Sequence, residues 1–93
     1  MAILVFFDNI QNCTTEQYYE VLRRLKEAGA EPPRGQLYHV MYLTDGRPHV
    51  VDIFDTSENF EAFGGLLMPI LAELGIDGGA PVIMPAENVM AGS

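Results

Sequence analysis

The sequence predicts an α+β fold in which two helices lie on one face of a four-stranded antiparallel sheet, and three observations predict it. Runs rich in Val, Ile, Phe and Tyr at residues 2–8, 36–44, 47–56 and 81–90 are interleaved with two stretches whose apolar residues recur every 3.6 positions. The second and third runs are separated only by Asp45-Gly46, a pair that reaches positive φ at little cost and closes a tight hairpin. The resulting order is strand, helix, strand, strand, helix, strand. With right-handed crossovers this is the split βαβ, or ferredoxin-like βαββαβ, sandwich. Ninety-three residues leave room for one core, so residues 1–93 are read as a single domain.

Residues 2–8, Ala-Ile-Leu-Val-Phe-Phe-Asp, are apolar on both alternating faces, as in a strand covered on both sides. No basic region precedes them, so they are read as a strand rather than a secretory signal. Thr14-Thr15-Glu16-Gln17 offers a capping box for the first helix. Tyr18, Val21, Leu22, Leu25 and Ala28 then share one side of it, with Glu20–Arg24 and Arg23–Glu27 paired four residues apart on the wet side. Gly29 suits the left-handed position past its end, and residues 30–35, with Pro32-Pro33, form a rigid connector. The hairpin strands follow. Ser57 is placed to cap a second helix carrying Phe60, Phe63, Leu67, Ile70, Leu71 and Leu74, which Gly64-Gly65 and Pro69 should bend or split and Gly75 should end. Residues 76–80 are a glycine-rich loop without the spacing of a phosphate loop, and the last strand, carrying Pro85, belongs at a sheet edge.

Two helices cover only one face of such a sheet, yet Ile3, Val5 and Phe7 alternate with Leu4 and Phe6, and Val51 and Ile53 with Val50 and Phe54. The second apolar face needs a cover, and the same face of an identical chain is the expected one, making a homodimer. Thirteen acidic residues against five basic give a net charge of −8, the wrong sign for phosphate backbones or anionic lipid heads, so nucleic acid and membrane are excluded as expected partners. A single cysteine forms no internal disulfide, which points to a cytoplasmic location.

Counting back from a two-residue turn sets Thr44 opposite Arg47 and, five steps on, His39 opposite Asp52 on one face. A carboxylate that holds an imidazole fixes its tautomer, the arrangement a general base needs; the same two groups also suit a buried pair that only satisfies itself. Leu37, Met41, Val50 and Phe54 are expected around the pair, with Phe60 and Phe63 as a roof, either as pocket or as core. Tyr38, Tyr42 and His49 share the opposite face, and His49, near the hairpin end, is expected to be solvated. Cys13 precedes a helix start but has no neighbouring histidine, and is read as idle. The potential ligands fall short of a zinc set, and no metal or other cofactor is expected.

Residues 50–63, Val-Val-Asp-Ile-Phe-Asp-Thr-Ser-Glu-Asn-Phe-Glu-Ala-Phe, resemble the third strand and second helix of antibiotic biosynthesis monooxygenase-like proteins of the dimeric α+β barrel superfamily. Asp52, Phe54, Phe60 and Ala62 match that pattern, and Tyr38-His39-Val40 with Val50-Val51-Asp52 resemble a bacterial subgroup of it. Many members carry a histidine where this chain has Phe63, so the resemblance speaks more strongly for architecture than for oxygenation or haem degradation. It implies a dimeric α+β barrel. It also implies a small cofactor-independent enzyme acting on an aromatic or polycyclic molecule, with His39 as proton acceptor, Asp52 orienting it, and Met41, Phe54 and Phe63 around the substrate. A noncatalytic ligand-binding module and a structural homodimer are the alternatives.

Overall fold

Thr14 opens the first helix as a capping box requires: its hydroxyl accepts from the Gln17 amide at 3.1 Å, and the Gln17 side chain accepts from the Thr14 amide at 2.9 Å. From that start a computed structural model, which describes residues 1–90, runs β1 (Ile3–Phe7), α1 (Thr15–Glu27), β2 (Gln36–Thr44), β3 (Arg47–Phe54), α2 (Ser57–Leu74) and β4 (Val82–Pro85). All pairings are antiparallel, in the order β2-β3-β1-β4. This is the ferredoxin-like arrangement, with Pro85 on an edge strand that spans only four of the ten residues expected of it.

Asp45 and Gly46 both take positive φ, 53° and 75°, as a type I′ turn demands. The register follows unbroken from Thr44↔Arg47 to Tyr38↔Ile53, with His39 opposite Asp52. Beyond that the ladder slips: Gln36, not Leu37, opposes Phe54, and Leu37 is half exposed instead of flanking the histidine. A bulge places two residues against one, and it turns the Gln36 amide toward Asp52.

The second helix departs from expectation at its start, and it is not split in its middle. Thr56, not Ser57, is the cap, its hydroxyl accepting from the Asn59 amide at 3.1 Å. The helix then runs unbroken through Gly64, Gly65 and Pro69. Both glycines face open space, so no packing is lost there, while Phe63, Leu67 and Leu71 hold the inner stripe on the core. Gly75, in the left-handed conformation, ends it. The end of α2 is tied to both ends of α1: Gln17, in the first turn, donates to the Leu74 carbonyl at 3.1 Å, and Arg24, in the last turn, reaches Glu73 at 2.8 Å.

Both helices pack on the face formed by Ile3, Val5, Pro48, Val50, Asp52 and Phe54, of which Val5 and Phe54 are wholly buried. The other face, with Leu4, Phe6, Tyr38, Val40, Tyr42, His49, Val51 and Ile53, has no helix over it. Residues 86–90 run past Leu4, Tyr38, Val40 and Ile53 on that side, yet Val40 remains 55% exposed. Among the described residues no helix is long and apolar enough to cross a membrane.

Candidate functional site

The hairpin delivers the histidine and the carboxylate, and the capping box delivers a third group. His39 Nδ1 lies 2.6 Å from Asp52 Oδ1, with the carboxyl only 2% exposed and the imidazole 29% exposed. A carboxylate can only accept, so Nδ1 carries the proton, and in the neutral imidazole Nε2 is left as the acceptor. The Tyr18 hydroxyl donates to Nε2 at 2.5 Å, its ring lying nearly parallel to the imidazole. Tyr18 sits on the first turn of α1, where its amide closes the first helical hydrogen bond onto the Thr14 carbonyl. The cap therefore sets the phase of the helix and aims the phenol at β2. Gln36 Nε2 adds a longer bond, 3.3 Å, to the same carboxyl oxygen. Burial, then the neighbouring Tyr19, then the Asp52 charge push the Tyr18 phenol above its ordinary range.

Two cavities meet at His39. The inner one, about 80 Å³, lies between helices and sheet, with Tyr18, His39 and Asp52 as its polar end and Cys13, Val21, Phe63 and Leu67 among its apolar walls. The outer one, about 240 Å³, lies beneath the Pro32-Pro33 connector and shares Leu22, Leu25, His39 and Phe63 with the first. The connector is held down by an approach only glycine permits. Gly35 has a φ of +82°, its carbonyl accepts from the Asp55 amide, and a Cβ there would fall 2.3 Å from the Asp55 carboxyl.

The structure thus brings His39, Asp52 and Phe63 together and leaves two anticipated lining residues elsewhere. Phe54 is wholly buried beside Phe63, with ring centroids 5.5 Å apart, and Met41 lies farther along β2; neither lines either cavity. Tyr18 and Gln36 were not foreseen at the site. The signal for Tyr18 was a lone phenol heading an otherwise aliphatic helix stripe, whereas nothing local announced the bulge that recruits Gln36. His49 is half-buried rather than solvated: it stacks on Tyr42, and its Nδ1 is shut off from solvent without a partner among the described residues. Cys13 lines the inner cavity, where burial pushes its thiol up, away from the reactive thiolate. No cluster of three or more metal-ligating side chains occurs among the described residues.

No family model matches this sequence and no curated protein matches it. Its backbone does match a solved structure, a "putative antibiotic biosynthesis monooxygenase" from Caulobacter crescentus CB15, over 96% of this chain and 89% of that one, with a TM-score of 0.58 and 18% identity. The two proteins share a fold. That architecture, with its four-stranded antiparallel sheet and two helices, is the one the resemblance at residues 50–63 implied.

Proposed function

We propose that this protein is a homodimer that binds a small aromatic molecule in the cavities beside His39 and removes a proton from it, with Asp52 orienting the base. The observation that carries this reading is the hydrogen-bonded line Asp52–His39–Tyr18, which ends in an otherwise apolar cavity. A fixed imidazole tautomer with a buried carboxylate behind it stabilises the imidazolium that forms, and apolar walls keep water from competing for the proton. Size limits the ligand. Cavities for drug-sized molecules run from about 300 to 1,000 Å³, and the inner and outer spaces, about 80 and 240 Å³, together reach only the bottom of that range, which suits one ring or two fused rings. The carbanion left behind is the species that combines with dioxygen in cofactor-free oxygenation, the chemistry that the resemblance at residues 50–63 implies.

Dimerisation is proposed through the open sheet face, where Val40, Tyr42 and Met84 are each more than 40% exposed. A stable contact of this kind buries roughly 1,600 Å² in total. Light scattering that finds only a 10.3 kDa species at micromolar concentration overturns it.

The site is tested by screening one- and two-ring phenols, quinones and benzylic ketones by ligand-observed NMR, then measuring turnover of any binder with His39→Gln. A loss of about 10²- to 10⁴-fold with the fold intact supports the base. A second reading, a structural homodimer, is favoured by the smallness of the inner cavity. It predicts no binder and a His39→Gln variant whose only defect is a lowered melting temperature.

A further inference from the structure

We propose that Tyr18 is the group that meets the substrate: its hydroxyl oxygen takes the substrate's proton while the phenol's own proton passes to His39 Nε2. This rests on the proton-transfer reading above and assigns its contact residue. An imidazole has two nitrogens, and both are engaged here, Nδ1 with Asp52 at 2.6 Å and Nε2 with the Tyr18 hydroxyl at 2.5 Å. No lone pair of His39 is left to face a ligand. The Tyr18 oxygen, after donating to Nε2, still has acceptor capacity, and Tyr18 lines the inner cavity with Cys13, Val21 and Phe63. A proton leaving a molecule in that cavity therefore reaches the imidazole through the phenol.

The step balances without a further reactant. A C–H or O–H bond of the substrate breaks and its electron pair stays behind as a carbanion or oxyanion. The proton bonds to the Tyr18 oxygen as the original O–H bond breaks and that proton joins Nε2. Tyr18 ends neutral, and His39 ends as an imidazolium against the Asp52 carboxylate. Such a relay needs a phenol that is protonated beforehand, and burial, Tyr19 and the Asp52 charge all favour the protonated form. The competing arrangement is one in which Tyr18 is only a plug, swinging aside to bare Nε2 for the substrate. The two differ in what removing the hydroxyl does.

The probe is 2-indanone, a two-ring ketone with acidic CH₂ groups, whose hydrogen-to-deuterium exchange in D₂O is followed by ¹H NMR with wild type, Tyr18→Phe and His39→Gln. ¹⁵N shifts of His39 in the same samples report whether the proton still sits on Nδ1, facing Asp52. The relay predicts that wild type accelerates exchange and that both variants lose about 10²- to 10⁴-fold of it, Tyr18→Phe doing so with the Nδ1–H tautomer intact. It also predicts that 3-fluorotyrosine at position 18, which keeps a hydroxyl, restores exchange with a pH profile displaced to lower pH. Exchange in Tyr18→Phe equal to or faster than wild type overturns the relay and leaves His39 as the direct base. Exchange in wild type no faster than in buffer overturns the proton-transfer reading and the relay together.

Discussion

Two cross-strand pairs on one hairpin each contain a histidine and occupy opposite faces of the sheet. His39–Asp52 and Tyr42–His49 both join β2 to β3 and lie three residues apart on opposite faces. Under the helices, each ring nitrogen of His39 has a partner, one from the neighbouring strand and one from α1. On the open face His49 has a stacked ring at 5.2 Å and a buried Nδ1 with no partner among the described residues. The hairpin supplies both histidines equally. It is the layer packed above that turns one of them into a polarised line and leaves the other unfinished, because a buried polar atom keeps its solvation cost until something packed against it supplies a hydrogen bond.

The largest test of that contrast compares adjacent residues on β3. Phe54→Ala, beneath the helices, should cost about 3 to 5 kcal/mol in urea unfolding. Ile53→Ala, on the open face, should cost less than half as much at dilutions where the chain is monomeric. Equal losses at high dilution would mean that residues 86–90 already cover the open face as well as the helices cover the other.

Next come the histidines themselves. His39→Ala leaves the Asp52 carboxyl buried without its main partner and should cost about 1 to 3 kcal/mol. His49→Ala removes an orphaned nitrogen along with its ring stack, and should stay within about 0.5 kcal/mol. A matching loss at His49 would show that its Nδ1 is bonded in solution, which a second copy across the open face would explain.

The covered face should also reveal itself in alkali. The Tyr18 phenol ionises above its ordinary 10.0, so the folded chain holds that proton more tightly than the unfolded one. The resulting stabilisation is fully present below pH 10 and is lost as pH rises through the raised value. Tyrosinate absorbance should show this step above pH 10, and Tyr18→Phe should remove both the step and the accompanying fall in stability.

The smallest effect belongs to neither face. On the wet side of α1, hydrogen bonds from Arg23 and then Arg24 hold the Glu20 carboxyl down to about 2. Its contribution is present above the ordinary 4.5 and is lost only as pH falls through about 2. A carboxyl titration by NMR should place it there at low salt, and added salt should shift it upward, since exposed pairs are screened.

Several features were legible because each is set within a few residues of chain. Asp45-Gly46 determined the turn, the turn determined the register by counting, and the register set His39 beside Asp52. Thr14 with Gln17 determined where α1 begins, and the element order with right-handed crossovers determined the sheet. Other features were legible only in part. Gly64-Gly65 and Pro69 signalled a bend or a split in α2, and no split occurs where Phe63, Leu67 and Leu71 pack on the core. Leu37 shared the alternation of its strand until the bulge displaced it.

The sequence by itself thus determined the order of elements, the hairpin register and the histidine–carboxylate pair, since dihedral limits and strand alternation act between near neighbours. Only the tertiary structure decided which sheet face the helices cover, that the Tyr18 hydroxyl closes onto His39 from 21 residues away, and how small a space remains beside them. Those depend on how α1 and α2 dock on the sheet. Docking is governed by nondirectional apolar burial summed over many side chains, a quantity that no local pattern encodes.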